Sequence, residues 1–352
     1  MMLLFVPLAA AAAAAAALAP APPLFVHPGI IVSLPMLEKI RSDVQAKVEP
    51  VFTAYAAAKV GRVAGNETSG LWLANLLYVP QCQPLMKNGS GWVPWKEDAF
   101  AAYTHALLYF IDQDPRHAEK AVELFDGWTA QLMAQDTSWA INTWGLQTGW
   151  GAAVWPRAAE IIRHTYTKWP EAKAVAFGSM MTDKVLPIVE HGASTNGNIA
   201  HVMHEASFHI GIYNDNATTV ANAVALWRKQ APAYLYISSD GPTPKRPPAE
   251  PYLANTGPVC GPTCDDKQIE EYWHGQKVYG RGHDGICQES CRDLGHTLLG
   301  FATLVNMAET AHHQGIDLYG ENQKRIIASA EFHSTLVENQ RPELKQNWPS
   351  WL

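Results

Sequence analysis

The chain has 352 residues, 47% of them hydrophobic and 17% charged, with a formal net charge of −7. That length accommodates one large domain or two ordinary ones, and that composition excludes an intrinsically disordered chain. An acidic balance without any basic tract excludes nucleic acid as a partner, whereas a polyanion stays open, because a few cations converging in one cleft outweigh the global charge locally.

Met1 to Ala19 is an apolar, alanine-rich run that ends in Leu18-Ala19-Pro20-Ala21-Pro22. It has the apolar stretch and small-residue end of a secretory signal, though it lacks a basic start, and its alanine content is too weakly apolar for an anchor. Residues 1–21 are therefore read as a signal peptide and 22–352 as one domain, secreted and extracellular. No later stretch has the length and apolarity to span a bilayer, so no membrane association is expected after cleavage. The sequons at Asn66, Asn88 and Asn216 agree with that compartment.

From Ser33 onward the pattern is helical almost throughout, starting with an N-cap Ser followed by Pro35 just inside the helix. Three stretches repeat one plan of helix, polar turn and returning helix: 100–110 with 116–132, 203–212 with 217–229, and 297–312 with 321–337. Strand-like alternation is almost absent. The fold class is thus all-α. Short helical hairpins repeated in one large domain predict an (α/α) toroid whose inner helices line a cleft, with a plain helical bundle as the alternative. The segment from Ser238 to Gly285 is dense in Pro and Gly and reads as a long loop, a length that a compact domain keeps for function. Cys260 and Cys264 form one close pair, Cys287 and Cys291 another, and Cys82 stands alone. In a secreted chain these read as disulfides with one thiol left over, buried or free, their connectivity not legible from spacing.

Four groups of residues have the types needed for chemistry. Asn142, Trp144, Gln147 and neighbouring Trp150 combine amides with aromatic faces that stack on sugar rings, although each Trp alone reads better as core. Asn196 and Asn198 flank Gly197 ahead of His201 and His204, which lie three apart on one helical face. An amide there either caps the helix or donates to a substrate carboxylate. No H-E-x-x-H pattern surrounds the two His, so no metal and no other cofactor is expected. Tyr272, Trp273, His274, Gln276, Tyr279, Arg281 and His283 crowd a Gly-rich segment where core packing gives no reason for them. Finally, Gln288-Glu289-Ser290-Cys291-Arg292-Asp293-Leu294-Gly295-His296 places Arg292 and His296 four apart, predicted to project from one helical face, with an Arg292–Glu289 or Arg292–Asp293 pairing as the structural reading.

Trp144-Gly145-Leu146-Gln147-Thr148, Pro156-Arg157-Ala158-Ala159-Glu160, Asn196-Gly197-Asn198, Tyr234-Leu235-Tyr236, Ser239-Asp240-Gly241, Gln288 to His296, Ala308-Glu309-Thr310 and Gly315 to Gly320 together resemble the alginate-lyase superfamily of polysaccharide lyases. The resemblance spans about Trp139 to Phe332 and is nearest to the Asn-Gly-Asn branch acting on glucuronan and alginate. It implies an (α/α) toroid and metal-independent β-elimination, with an acidic polysaccharide as the expected partner and a monomer as the expected state. In that chemistry the uronate carboxylate must be neutralised, the adjacent carbon deprotonated and the departing oxygen protonated. Asn198 and Arg292 fit the first need, assisted by His274 or His296. Relatives often carry Trp and Glu directly after Asn-Gly-Asn, where this chain has Ile199 and Ala200. They also often carry a Tyr shortly after the His that matches His296, where it has Leu298 and Leu299. Base and acid then fall to Tyr279, Tyr272 or His283, with Asn142, Trp144, Gln147, Asn196, His201, His204, Trp273, Gln276, Arg281 and Glu289 around the substrate. A glycoside hydrolase on a similar scaffold would need a carboxylic acid pair, drawn from Glu205, Asp240, Asp284 and Glu289. A non-catalytic sugar-binding protein would keep the aromatic cleft and lose the base.

Overall fold

A computed structural model of the chain describes residues 24–60, 73–86, 90–135, 144–193, 197–248 and 260–339. The signal segment, the Asn66 and Asn88 sequons, Trp139, Asn142 and Asn196 lie outside the described residues. The helices are α1 (Leu34–Gln45), α2 (Val51–Lys59), α3 (Trp92–Asp112), α4 (Pro115–Gln131), α5 (Trp144–Ala152), α6 (Trp155–Thr165), α7 (Glu171–Met180), α8 (Leu186–Val189), α9 (Gly197–Tyr213), α10 (Ala217–Tyr234), α11 (Asp266–Tyr272), α12 (Leu294–His313), α13 (Leu318–Glu321) and α14 (Gln323–Asn339). Among the described residues the only strands are β1 (Leu85–Met86) and β2 (Ala134–Gln135), paired in parallel.

Local chemistry sets the hairpin turns. Gln113 and Asp215 adopt φ of 58° and 50°, reversing the chain after α3 and α9. Asp114 then caps α4 by accepting the Arg116 N–H, and Asn216 caps α10 by accepting the Thr219 N–H. The sequon asparagine at 216 thus has a structural task for its side-chain oxygen.

Contacts along the helices give their directions. The first turn of α5 meets the first half of α9, where Gly145 faces Met203, and Ala153 just past α5 accepts from His209 near the end of α9. On the other flank Gly300 lies against Asn198, and Thr310 bonds His209. Hence α5, α9 and α12 run parallel. Returning antiparallel, α10 places Val220 at Gly211 and Tyr234 at Gly197. Parallel inner helices with returning outer partners make an α/α toroid, and α9, buried at all of its positions, is its axial element. The hairpin plan is therefore the observed one, although the last hairpin is interrupted by the short α13.

Most tryptophans are structural. Trp95, Trp128 and Trp155 pack ring to ring at 5.1–6.3 Å, and Phe125, Trp169 and Phe177 extend the cluster. Each such ring removes roughly 150–250 Å² from water, worth up to about 4–6 kcal/mol at the usual area coefficient. A second, smaller core comprises Tyr236, Cys260, Cys264, Ile269, Tyr272, Trp273 and Ile286.

Two expectations are corrected here. The segment from Ser238 to Gly285 is not one continuous loop: α11 forms within it because Asp265 and Gln268 complete a reciprocal capping box. The second cysteine pair is not a disulfide. Cys260 and Cys264 are bonded, whereas Cys287 is a free buried thiol, Cys291 a free exposed one and Cys82 a third. Cys287 is drawn inward by the backbone pairing of its neighbours, and Cys291 points its thiol at Gln276.

Candidate active site

The first piece of the site is a backbone splice. Tyr236 donates to Ile286, Gly285 to Tyr236 and Gln288 to Tyr234, at 2.8–2.9 Å, joining the end of α10 to the stretch before α12. This register carries Gln288 and Glu289 beneath the first turn of α9. Gln288 Oε1 accepts the Gly197 N–H at 2.8 Å and Glu289 Oε2 the Asn198 N–H at 3.0 Å, so a buried carboxamide and a buried carboxylate together satisfy two N–H groups at the helix N-terminus. Two glycines permit the approach. A Cβ on Gly197 would stand 2.1 Å from the Tyr234 ring, and one on Gly300 would stand 2.1 Å from the Tyr234 hydroxyl.

The second piece is ionic. Arg292 Nη1 donates to Glu289 Oε1 at 2.8 Å, and Asp293 Oδ2 lies 3.8 Å from its Nε. Arg292 and His296 do not share a helical face, contrary to the spacing argument. Asp293 is extended and caps α12 by accepting the His296 N–H at 2.8 Å, so the helix begins after Arg292. The same carboxylate bonds the His296 ring at 2.7 Å and brings the two side chains to one locus by a different route. Burial raises the Glu289 carboxyl, opposed by its bonds from Asn198 and Arg292. The Asp293 carboxyl is lowered: its partial burial acts upward and is outweighed by the His296 bonds and the Arg292 charge. The Arg292 side chain is 30% exposed, and of its five N–H donors one is taken by Glu289.

His274 completes this locus. It sits at φ 53°, followed by Gly275 at 84°, a left-handed pair that turns the chain back after α11. Burial and then the Arg292 charge lower its pKa, with Asp293 opposing, so the ring is neutral at pH 7. Its Nε2 is buried without a hydrogen-bond partner among the described residues. A neutral imidazole with a free nitrogen beside an Arg is equipped to accept a proton.

The third piece is the inner face of α9. Asn198 has both side-chain polar atoms buried without a described partner, as do both ring nitrogens of His201 and Nδ1 of His204. Burial holds His201 well below the usual histidine value and His204 at about 4, so both are neutral. Further along the same helix, Glu205 pairs with Arg157, and its carboxyl is pushed up to about 7 by burial, which Arg157 and Asn306 oppose.

Other expected residues are placed differently. Tyr272 and Trp273 fill the second core at 1% and 0% exposure, so proton transfer by the Tyr272 hydroxyl would require that core to open. Tyr279 is half-buried and donates to the Gln276 carbonyl, His283 is half-buried with Nδ1 unpartnered among the described residues, and Arg281 is exposed. Trp144 is buried, while Gln147 accepts from Lys96, which lies 4.4 Å over the half-buried Trp150 ring. The structure gathers Asn198, His274, Glu289, Arg292 and His296, and it adds Gln288, Asp293 and Tyr234, which the sequence motifs contained without a role at the site being given to them. Besides the Tyr234-Leu235-Tyr236 motif, a signal for Tyr234 was the isolated Gly300 inside a helical pattern, the mark of a close approach.

The carboxylates considered for hydrolysis are all engaged. Asp240 is held by Arg325 at 2.5 Å through both oxygens, Asp284 accepts the Ser238 N–H, Glu205 pairs with Arg157, and Glu289 bridges α9 and Arg292.

No protein-family model and no curated protein matches this chain. Among solved structures it is similar to a variant of alginate lyase A1-III complexed with a tetrasaccharide, with 14% identity and a TM-score of 0.56 over 89% of this chain and 78% of that one. It is likewise similar to alginate lyase A1-III from Sphingomonas species A1, with 15% identity and a TM-score of 0.53 over 89% and 79% of the two chains. At such identity the likeness is one of fold.

Proposed function

We propose that this chain is a secreted polysaccharide lyase that cleaves a uronic-acid polysaccharide of glucuronan or alginate type by β-elimination without a metal. The observation that carries the proposal is the convergence of Arg292, His274, His296 and Asn198 at the N-terminal ends of α9 and α12. The toroid shared with alginate lyase A1-III, which has been captured with a tetrasaccharide, supports the substrate class. Arg292 takes the uronate carboxylate through its remaining N–H groups, joined by the His296 ring and, where the fully buried Asn198 is uncovered by opening of the site, by its amide. Neutralising that charge acidifies the adjacent C–H. The neutral His274 then removes the proton through Nε2, the electron pair forms the new carbon–carbon double bond, and the glycosidic C–O bond breaks. Tyr279 or His283, on the same Gly-rich segment, protonates the departing oxygen.

Incubation with glucuronan, polymannuronate and a neutral glucan tests the proposal. Ultraviolet absorbance of an unsaturated uronate should grow with at least one of the two uronates and never with the glucan. New reducing ends without that absorbance would overturn elimination in favour of hydrolysis. Binding without either product would leave only a sugar-binding protein.

A further inference from the structure

The segment preceding α1 crosses the end of the toroid opposite the candidate active site. The Leu24 and Phe25 N–H groups donate to Asp215 Oδ1, and Gln314 brackets Val26 and Gly29 with both ends of its amide. Asp215 and Gln314 follow the C-terminal ends of α9 and α12. A helix of 17 residues is about 25 Å long, which separates this end from Asn198 by that distance.

Here His27 is inserted with its side chain 6% exposed. Its Nδ1 stands 2.9 and 3.0 Å from the two Glu160 oxygens, and its Nε2 stands 3.3 Å from Asp215 Oδ1. Glu160 is fully buried, and its Oε2 accepts the Gly29 N–H at 3.1 Å. His164, one turn further along α6, stacks on His27 at 4.8 Å and 11°, with Nε2 3.7 Å from Glu160 Oε1. The ligating atoms of His27, Glu160 and His164 all lie within 4.8 Å of one another.

We propose that this cluster is a structural site for a divalent transition metal of the zinc class, bound by His27 Nδ1, Glu160 and His164 Nε2 with water in the fourth position. A tetrahedral ion at about 2.0–2.1 Å from each ligand holds the ligand atoms roughly 3.3 Å apart. The two separations to Glu160, 2.9 and 3.7 Å, straddle that value, and the two imidazole nitrogens, within 4.8 Å of each other, draw together as the ion binds. Two imidazoles and one carboxylate select a zinc-like ion over magnesium or calcium, which prefer oxygen throughout. The surroundings match a supported ligand set. Asp215 accepts the Nε2 proton of His27 and so turns the Nδ1 lone pair inward, and Gly29 holds one Glu160 oxygen while the other stays available. The charges also balance, since Glu160 and Asp215 together neutralise a dication. Binding turns the 30%-exposed His164 side chain out of its near-parallel stack on His27, so that the in-plane lone pairs of both rings meet at one ion. Bound metal would clamp the leading segment onto α6, joining ligands 133 residues apart in sequence.

Chelator-stripped full chain titrated with cobalt(II) tests this directly. One equivalent should bind and develop the visible bands of a four-coordinate site, without the near-ultraviolet thiolate absorption that Cys82, Cys287 or Cys291 would give. Zinc should displace the cobalt and raise Tm. Substitution of His164, on the outer side of the pair, to Asn should lower zinc affinity at least tenfold and abolish the Tm response, and D215N should weaken binding by roughly ten- to a hundredfold. Absence of cobalt binding, thiolate absorption in the bound form, or unchanged affinity in both H164N and H27N would overturn the assignment. The active-site readout is independent: elimination activity does not enter any of these outcomes.

Discussion

Helix α9 carries polar residues at both ends, and all of them are buried, yet the two ends are treated in opposite ways. Toward its C-terminus His209 bonds the Ala153 carbonyl at 2.8 Å and Thr310 Oγ1 at 3.0 Å, and Glu205 is met by Arg157. Toward its N-terminus Asn198, His201 and His204 leave five side-chain atoms without a described protein partner. Burial without a hydrogen bond is disfavoured by about 1–3 kcal/mol per group, so a helix that satisfies one end and not the other is not merely tolerating polar residues. The satisfied end holds the toroid together. On the proposed function, the end without described partners is where groups from outside the chain would be met, which is why the candidate site is drawn there and not around Glu205.

That contrast can be broken by experiment, and the largest effect belongs to the anion site. R292A should reduce kcat/KM on a uronate polymer by roughly a thousandfold or more while circular dichroism and Tm stay near wild type, since its partner Glu289 is also held by α9. Retained turnover would remove Arg292 from the chemistry. N198A should follow, with a loss of about a hundredfold in kcat/KM and little or no loss of stability, because its amide makes no bond within the described residues. H209A should behave in the opposite way: roughly 2–4 kcal/mol less stable by denaturant unfolding, with kcat little changed in the folded fraction. Equal stability losses in N198A and H209A would erase the distinction between the two ends.

The smallest effect is a pH dependence. His204, at about 4 when folded and near 6.5 when unfolded, takes up its proton preferentially in the unfolded chain. Its contribution is therefore present above pH 6.5 and lost as pH falls toward 4, on the order of 3 kcal/mol when complete. Glu205 has the reverse sign. Raised to about 7, it favours folding below the unfolded carboxyl value and loses that contribution as pH rises through 7. H204N should flatten the acid limb of a Tm–pH profile and E205Q the neutral one. A profile insensitive to both would mean that neither group is as dry as its burial implies.

Much of the architecture was legible because it depends on local signals. The Asp112 to Pro115 and Asn214 to Asn216 turns carry their own cap chemistry, and the hairpins they separate follow from helical periodicity. Gln288 to His296 stood out as a site because Arg, Asp and His cluster beside Gly. What could not be read was register in three dimensions. Spacing put Arg292 on a helix face, but one cap at Asp293 moved it off the helix. Pro and Gly on both sides of α11 hid a seven-residue helix whose capping box is short and local. A shared C-x-x-x-C spacing treated two cysteine pairs alike, although the splice to Tyr236 buries Cys287 and leaves Cys291 at the surface. His27 and Glu160 are linked only by tertiary structure, so no pattern search along the chain would join them.

The small second core has a consequence for how the molecule breathes. It packs Tyr272 and Trp273 against Ile269, Ile286 and the disulfide, separately from the aromatic heart of the toroid, and His274 leaves directly from it. Such a unit opens and closes as its own cooperative element. Amide exchange should then divide into two populations, with α9 among the slowest protons and α11 among faster ones. Each opening of the smaller unit would withdraw His274, the proposed proton acceptor, while Asn198 keeps its place on α9. If His274 and Asn198 have the proposed roles, warming would silence turnover before it released the substrate's charge.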